Sequence, residues 1–140
     1  MAINFPSACV LDSFAVLAYL KDEPGADLVS DLLDRGDHRA TELFMHAVNL
    51  GEVYYVVYRG AGDIQAEAVY ARVKGYPISF VAHLEEDLLL TAARLKGQYR
   101  LSYADAFAAA TAILRGVPLV TGDPEFRALA QDHLLKLLWH

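Results

Sequence analysis

The sequence predicts one α/β domain in which a central, mainly parallel sheet is covered by helices on both faces. Three observations carry that expectation. Short apolar runs recur with room for a helix between them, and glycine, proline and aspartate mark the boundaries. A chain of 140 residues with 55% hydrophobic content can fill a real core.

Ala8-Cys9-Val10-Leu11 reads as the first strand, closed by Asp12-Ser13 and followed by a helical pattern from Phe14 to Lys21. A second helix is expected from Gly25 to about Arg35, and Leu43-Phe44-Met45 is a candidate short strand. Asn49 to Arg59 is apolar on almost every side, which predicts a largely buried helix ending before Gly60. Asp63 is placed to cap an amphipathic helix from Ile64 to Lys74 that stops at Gly75 and Pro77. Ile78-Ser79-Phe80-Val81 is the next strand. Glu85 to Tyr99 carries acids first and Arg94 and Lys96 late, the order that suits a helix dipole. Ser102 to Leu114 makes another helix, Pro118 to Thr121 a strand, Pro124 to Ala130 a short helix and Leu134 to Leu137 the last strand. No internal repeat, low-complexity tract or linker interrupts this pattern, so residues 1–140 read as a single domain.

Cys9 is the only cysteine, which leaves no disulfide framework and no thiolate cluster for structural zinc. Inside a strand it is expected to be a small core side chain. Met1 to Ser7 lacks a positively charged leader, and Asp12 breaks the following apolar stretch well short of a bilayer span. A cytoplasmic protein with no membrane contact is the expectation. The formal net charge of −6 runs against the basic footprint of a nucleic-acid binder. Binding to a polyphosphate then requires that several acids share one place and that cations reverse the local sign.

Four acids stand out, and three have an ordinary structural explanation. Asp12, where a strand gives way to a helix, can be an N-cap. Asp123 in Gly122-Asp123-Pro124 can cap a helix whose first residue is proline. Asp105 in Ser102-Tyr103-Ala104-Asp105 approaches a capping box. Glu52 differs, because Val48 and Val56 share its helical face and should aim its carboxylate into apolar surroundings, where it needs a partner. Convergence separates the readings. In open α/β sheets sites form at the carboxyl ends of strands near a topological switch point, and Asp12 and Asp123 both follow strand ends. Two carboxylates about 4 Å apart repel by roughly 4 kcal/mol at an effective dielectric of 20, so four clustered acids must take up protons or cations. An all-oxygen set suits Mg²⁺ or Mn²⁺. His38, His46, His83, His133 and His140 show no metal-binding spacing and read as ordinary residues.

With those residues in hand, the chain resembles the PIN-domain family, and within it the small VapC-type toxin ribonucleases of toxin–antitoxin pairs. The resemblance rests on Val10-Leu11-Asp12-Ser13, Asn49-Leu50-Gly51-Glu52-Val53, Leu101-Ser102-Tyr103-Ala104-Asp105-Ala106 and Val120-Thr121-Gly122-Asp123-Pro124-Glu125-Phe126, in the family's order across nearly the whole chain. It implies a sheet of about five parallel strands and metal-dependent endonucleolytic cleavage of RNA. Asp12, Glu52, Asp105 and Asp123 would be the acidic quartet, catalytic and metal-binding, with Ser13 and Thr121 as supporting hydroxyls and Asn49 one turn before the glutamate. It also implies a cognate antitoxin and a homodimer. His46 departs from the family, which often carries a small hydroxyl residue nearby.

The expected mechanism is attack on phosphorus by a water activated at one or two Mg²⁺ or Mn²⁺ ions, held by Asp12, Asp105 and Asp123, with Glu52 as ligand or water-orienting base. Asp12→Asn should then abolish cleavage with little effect on melting. Arg94, Lys96 and Arg100 are candidates for RNA phosphates, against the simpler reading of a solvated helix end. Tyr54, Tyr55 and Tyr58 could stack on bases, but their helical spacing looks more like core or a dimer face, and they receive no site role. The alternatives are an RNA-processing PIN nuclease that is not a toxin and a PIN-like interaction module without catalysis. A phosphoacceptor receiver domain is disfavoured, because no acid follows Ile78-Ser79-Phe80-Val81 before Glu85.

Overall fold

The computed structural model describes residues 4–139. Residues 1–3 of the expected leaderless segment, and His140, lie outside the described residues. The elements are β1 (Ala8–Leu11), α1 (Ser13–Leu20), α2 (Ala26–Asp37), β2 (Glu42–His46), α3 (Ala47–Ala61), α4 (Asp63–Lys74), β3 (Ile78–Val81), α5 (Glu86–Gln98), α6 (Tyr103–Arg115), β4 (Leu119–Val120), a 3-10 turn (Pro124–Phe126), α7 (Arg127–Gln131) and β5 (Leu137–Leu138). They match the expected alternation.

The five strands form one sheet in the order β3-β2-β1-β4-β5, with every neighbouring pair parallel. From β1 the chain builds outward through β2 to β3, then returns by α5 and α6 to lay β4 on the other side of β1. Strand order therefore reverses between β1 and β4, which opens a crevice at their carboxyl ends. Alternation along each strand feeds two apolar layers. Val10 and Leu119 pack with α5, α6 and α7, whereas Cys9, Leu11 and Val120 pack with α1 to α4. Helix α6 presents Ala106, Ala108, Ala109, Ala110 and Ala112, all fully buried, and their small side chains let its backbone approach the sheet. Burial pushes the Cys9 thiol up to about 12, as expected of an inert core residue.

Two expectations need correction. The last strand is Leu137–Leu138, because those residues register against Leu119 and Val120. The Leu134 amide instead closes the end of α7 on the Leu129 carbonyl, and Leu135 drops into the core from a loop. Helix α3 is buried only at Asn49, Leu50 and Val53, and its second half projects with Tyr55 and Tyr58 exposed. Its all-round apolarity arises because α4 covers one stripe while the aromatic residues on other stripes remain open.

Candidate active site

Strand β1 delivers Asp12 fully buried at its carboxyl end. One oxygen, Oδ1, accepts from the Ala15 N–H at 2.8 Å, so Asp12 does cap α1. The other, Oδ2, is buried without a hydrogen-bond partner. Pairing of Leu11 with Val120 sets the next residues, Asp12 and Thr121, side by side. Thr121 Oγ1 accepts from the Asp123 N–H at 3.1 Å, and Asp123 Oδ1 accepts from the Glu125 N–H at 2.9 Å. Those two bonds fold the turn after β4 so that Asp123 caps the 3-10 turn and still faces the crevice.

Helix α6 enters from below with Asp105 in its first turn, its N–H bound by Ser102 Oγ at 3.1 Å. Asn49 fixes that entry. Its buried side-chain amide donates to the Ala104 carbonyl at 3.0 Å and clamps α3 to the residue before Asp105. Carboxylate oxygens of Asp105, Asp123 and Glu125 all lie within 4.8 Å of one another. Glu52, one turn beyond Asn49, accepts from Ser13 Oγ at 2.5 Å and from the Tyr55 hydroxyl at 3.4 Å. It is half-buried and hydrogen-bonded, beside an exposed Val48, so the expectation of apolar surroundings for it does not hold.

Residues 9–132 match the family model for the PIN domain. The chain belongs to the PIN domain family. No curated protein matches it in sequence. Solved structures share the PIN fold at low identity. VapBC2 of Rickettsia felis, bound to a promoter DNA fragment, is 15% identical with a TM-score of 0.68 over 94% of this chain and 97% of that one. VapBC-5 of Mycobacterium tuberculosis, a toxin–antitoxin system, is 22% identical with a TM-score of 0.62 over 96% and 100%. VapC20 of the same organism, a toxin that cleaves the sarcin-ricin loop, is 18% identical with a TM-score of 0.64 over 86% and 93%.

Electrostatics in this PIN domain are one-sided. Burial pushes the Asp12 carboxyl up to about 8, and the negative charges of Asp105 and Asp123 add to the rise, while the Thr121 hydroxyl and the Ala15 amide oppose it. Asp105 is raised to about 6, first by burial and then by Asp123, Glu52 and Glu125, with Ser102 opposing. No basic side chain is among the groups acting on either acid. Oxygen donors, an orphaned Asp12 oxygen and uncompensated negative charge together fit a hard divalent cation. A cleft of about 900 Å³ between the end of α6 and the approach to β5 contains none of these acids. They gather at the other end of β4, in the crevice at the carboxyl ends of β1 and β4.

Of the four expected acids, Asp105 and Asp123 share one tight oxygen cluster, which Glu125 and not Asp12 or Glu52 completes. Asp12 feels the charges of Asp105 and Asp123, and Glu52 acts on Asp105. Ser13 bonds to Glu52, Asn49 to the Ala104 carbonyl and Thr121 to the Asp123 amide. Arg94 and Lys96 are exposed on the last turns of α5, and Arg100 is exposed in the connector to α6. His46 takes over the capping task expected of a hydroxyl, since its Nδ1 accepts from the Val48 N–H at 3.0 Å. The ring is stacked on Phe107, and burial lowers its pKa. Sequence reasoning missed Glu125 and the contact of Tyr55 with Glu52. Glu125 was signalled by its two-residue spacing from Asp123 across a proline, and Tyr55 by its position three residues after Glu52 on the same helical face.

Proposed function

We propose that this PIN domain is a metal-dependent endoribonuclease acting as the toxin of a type II toxin–antitoxin pair. The observation that carries the reading is the fully buried Asp12, one of whose oxygens lacks a hydrogen-bond partner, within the field of Asp105 and Asp123, which share a tight oxygen cluster with Glu125. Such an arrangement costs stability and is justified by binding a positive ligand. Cleavage of the sarcin-ricin loop by VapC20 supports RNA as the substrate, and the VapBC assemblies that share the fold support an antitoxin protein as the partner. A homodimer and a cytoplasmic location belong to the same proposal. Among the described residues no helix is long and apolar enough to cross a membrane.

Asp12, Asp105 and Asp123 would hold Mg²⁺ or Mn²⁺, with Glu125 as a further oxygen donor. When bound, the ion supplies Lewis-acid polarisation of the phosphodiester and a water that ionises near neutral pH. Glu52, with its oxygens engaged by Ser13 and Tyr55, is held to orient the attacking water and accept its proton. Thr121 and Asn49 fix the two backbone segments that carry Asp123 and Asp105. Arg94, Lys96 and Arg100 would meet phosphates away from the scissile bond.

Incubating the purified chain with structured and single-stranded RNA in Mg²⁺ or Mn²⁺, and mapping the cut ends, tests the proposal. Internal cuts that vanish with chelator and in Asp12→Asn or Asp105→Asn are expected. RNA left intact by a folded chain that binds Mn²⁺ would refute catalysis and leave an interaction module. Cleavage that no protein encoded beside the chain inhibits would remove the toxin assignment and favour RNA processing.

A further inference from the structure

Helix α3 offers two unlike faces in its exposed half. Tyr54 packs sideways, stacked on Tyr58 at 6.2 Å and edge-on to Tyr70 at 6.1 Å, with its hydroxyl on Glu67 of α4. That face serves the α3–α4 pair. Glu52, Tyr55 and Arg59 follow one another at helical spacing on the other face. Tyr55 is 45% exposed, its hydroxyl donates to Glu52, and the Arg59 guanidinium lies 5.3 Å above its ring. Arg59 is the only basic residue of α3, and among the described residues no carboxylate pairs with it.

We infer that Tyr55 and Arg59 form a nucleotide subsite for single-stranded RNA, in which Tyr55 stacks on a base beside the scissile phosphate and Arg59 meets a neighbouring phosphate. The inference rests on the ribonuclease reading and extends it to named contacts. The Tyr55 hydroxyl touches Glu52, whose charge reaches Asp105, so the ring stands beside the acids that would receive a phosphate. Arg59 lies seven residues beyond Glu52, about 10 Å along the helix, within reach of a phosphate adjacent to the one being cut. A strand approaching a strongly negative site needs positive charge at its rim, and Arg59 is held there by the ring it covers. An aromatic face accepts any base, so this subsite supplies affinity and register with little sequence preference.

The test uses Tyr55→Leu, Tyr55→Phe and Arg59→Gln in the full chain, with a single-stranded RNA oligonucleotide. KM, kcat, the salt dependence of RNA binding and Mn²⁺ affinity by calorimetry are the readouts. Tyr55→Leu should raise KM about tenfold, the range seen when one stacked base loses its platform, and Tyr55→Phe should restore it. Arg59→Gln should lower the slope of log K against log salt by about 0.7, the loss of one single-strand phosphate contact. Mn²⁺ affinity should stay at the wild-type value in Arg59→Gln and Tyr55→Phe. If wild type cuts RNA while KM and salt slope are unchanged in Tyr55→Leu and Arg59→Gln, the subsite is overturned and this face is left to a protein partner. If wild type itself fails to cut RNA, the ribonuclease reading fails first and carries the subsite down with it.

Discussion

Replacing Asp12 with asparagine should make the metal-free protein more stable at neutral pH. Asp12 is fully buried, and its carboxyl titrates at about 8 against an ordinary 3.8. An unfolded chain carries it ionised above the lower value, whereas the folded chain keeps it protonated up to the higher one. Folding therefore takes up a proton across that window, and stability falls as pH rises from about 4 to about 8. At pH 7 the penalty is about 4 kcal/mol as a ceiling, reduced by whatever solvent relaxation the site allows. Asparagine has no such titration and caps a helix as well as aspartate, so the Ala15 contact survives. From the sequence alone the substitution was expected to be nearly silent in melting, and the observed burial changes that. Urea unfolding in chelator should place the variant midpoint up to about 2 M higher at pH 7, with the difference shrinking towards nothing at pH 4. Saturating Mn²⁺ should favour wild type by mass action, about 2.7 kcal/mol at a hundredfold excess over Kd, and narrow the gap. Equal midpoints in chelator at both pH values would refute the claim that burial holds this acid neutral.

Three further outcomes follow from the site. Mn²⁺ affinity, read by calorimetry, should climb as pH passes about 6 and level above about 8, because raised carboxyls must lose protons before they bind. Glu125→Gln should weaken Mn²⁺ binding roughly tenfold, whereas Glu52→Gln should leave it near wild type and abolish cleavage. Asn49→Ala should cost about 1 kcal/mol in thermal unfolding for the lost bond to Ala104, and slow cleavage by roughly 10- to 100-fold as Asp105 shifts.

Much of the fold and site was legible because the same residues signal both. A short apolar run ending in Asp12 or in Thr121-Gly122-Asp123 marks a strand end, and parallel strands put such ends on one edge of the sheet. Capping and clustering proved compatible, since Asp12 and Asp123 each cap with one oxygen and leave the other. Glu125 was hidden because its approach to Asp105 depends on a 3-10 turn, which a helical reading of Pro124 to Ala130 does not contain. The exposed half of α3 was hidden for a different reason. Apolarity on every side looks the same whether it is covered by core, by a neighbouring helix or by a ligand. The final strand slipped because Leu134, Leu135, Leu137 and Leu138 are alike in hydropathy, and only pairing with β4 selects two of them.

Trp139 is the only tryptophan in the chain, and it sits on the turn that carries Asp123. A Cβ added to Gly122 would come 2.4 Å from its indole and 2.7 Å from Phe14, so the turn and the ring have no slack between them. Any cation that draws Asp123 inward must therefore disturb the indole's surroundings. The protein carries its own optical probe, and its intrinsic emission should register occupancy of the acidic crevice without a label.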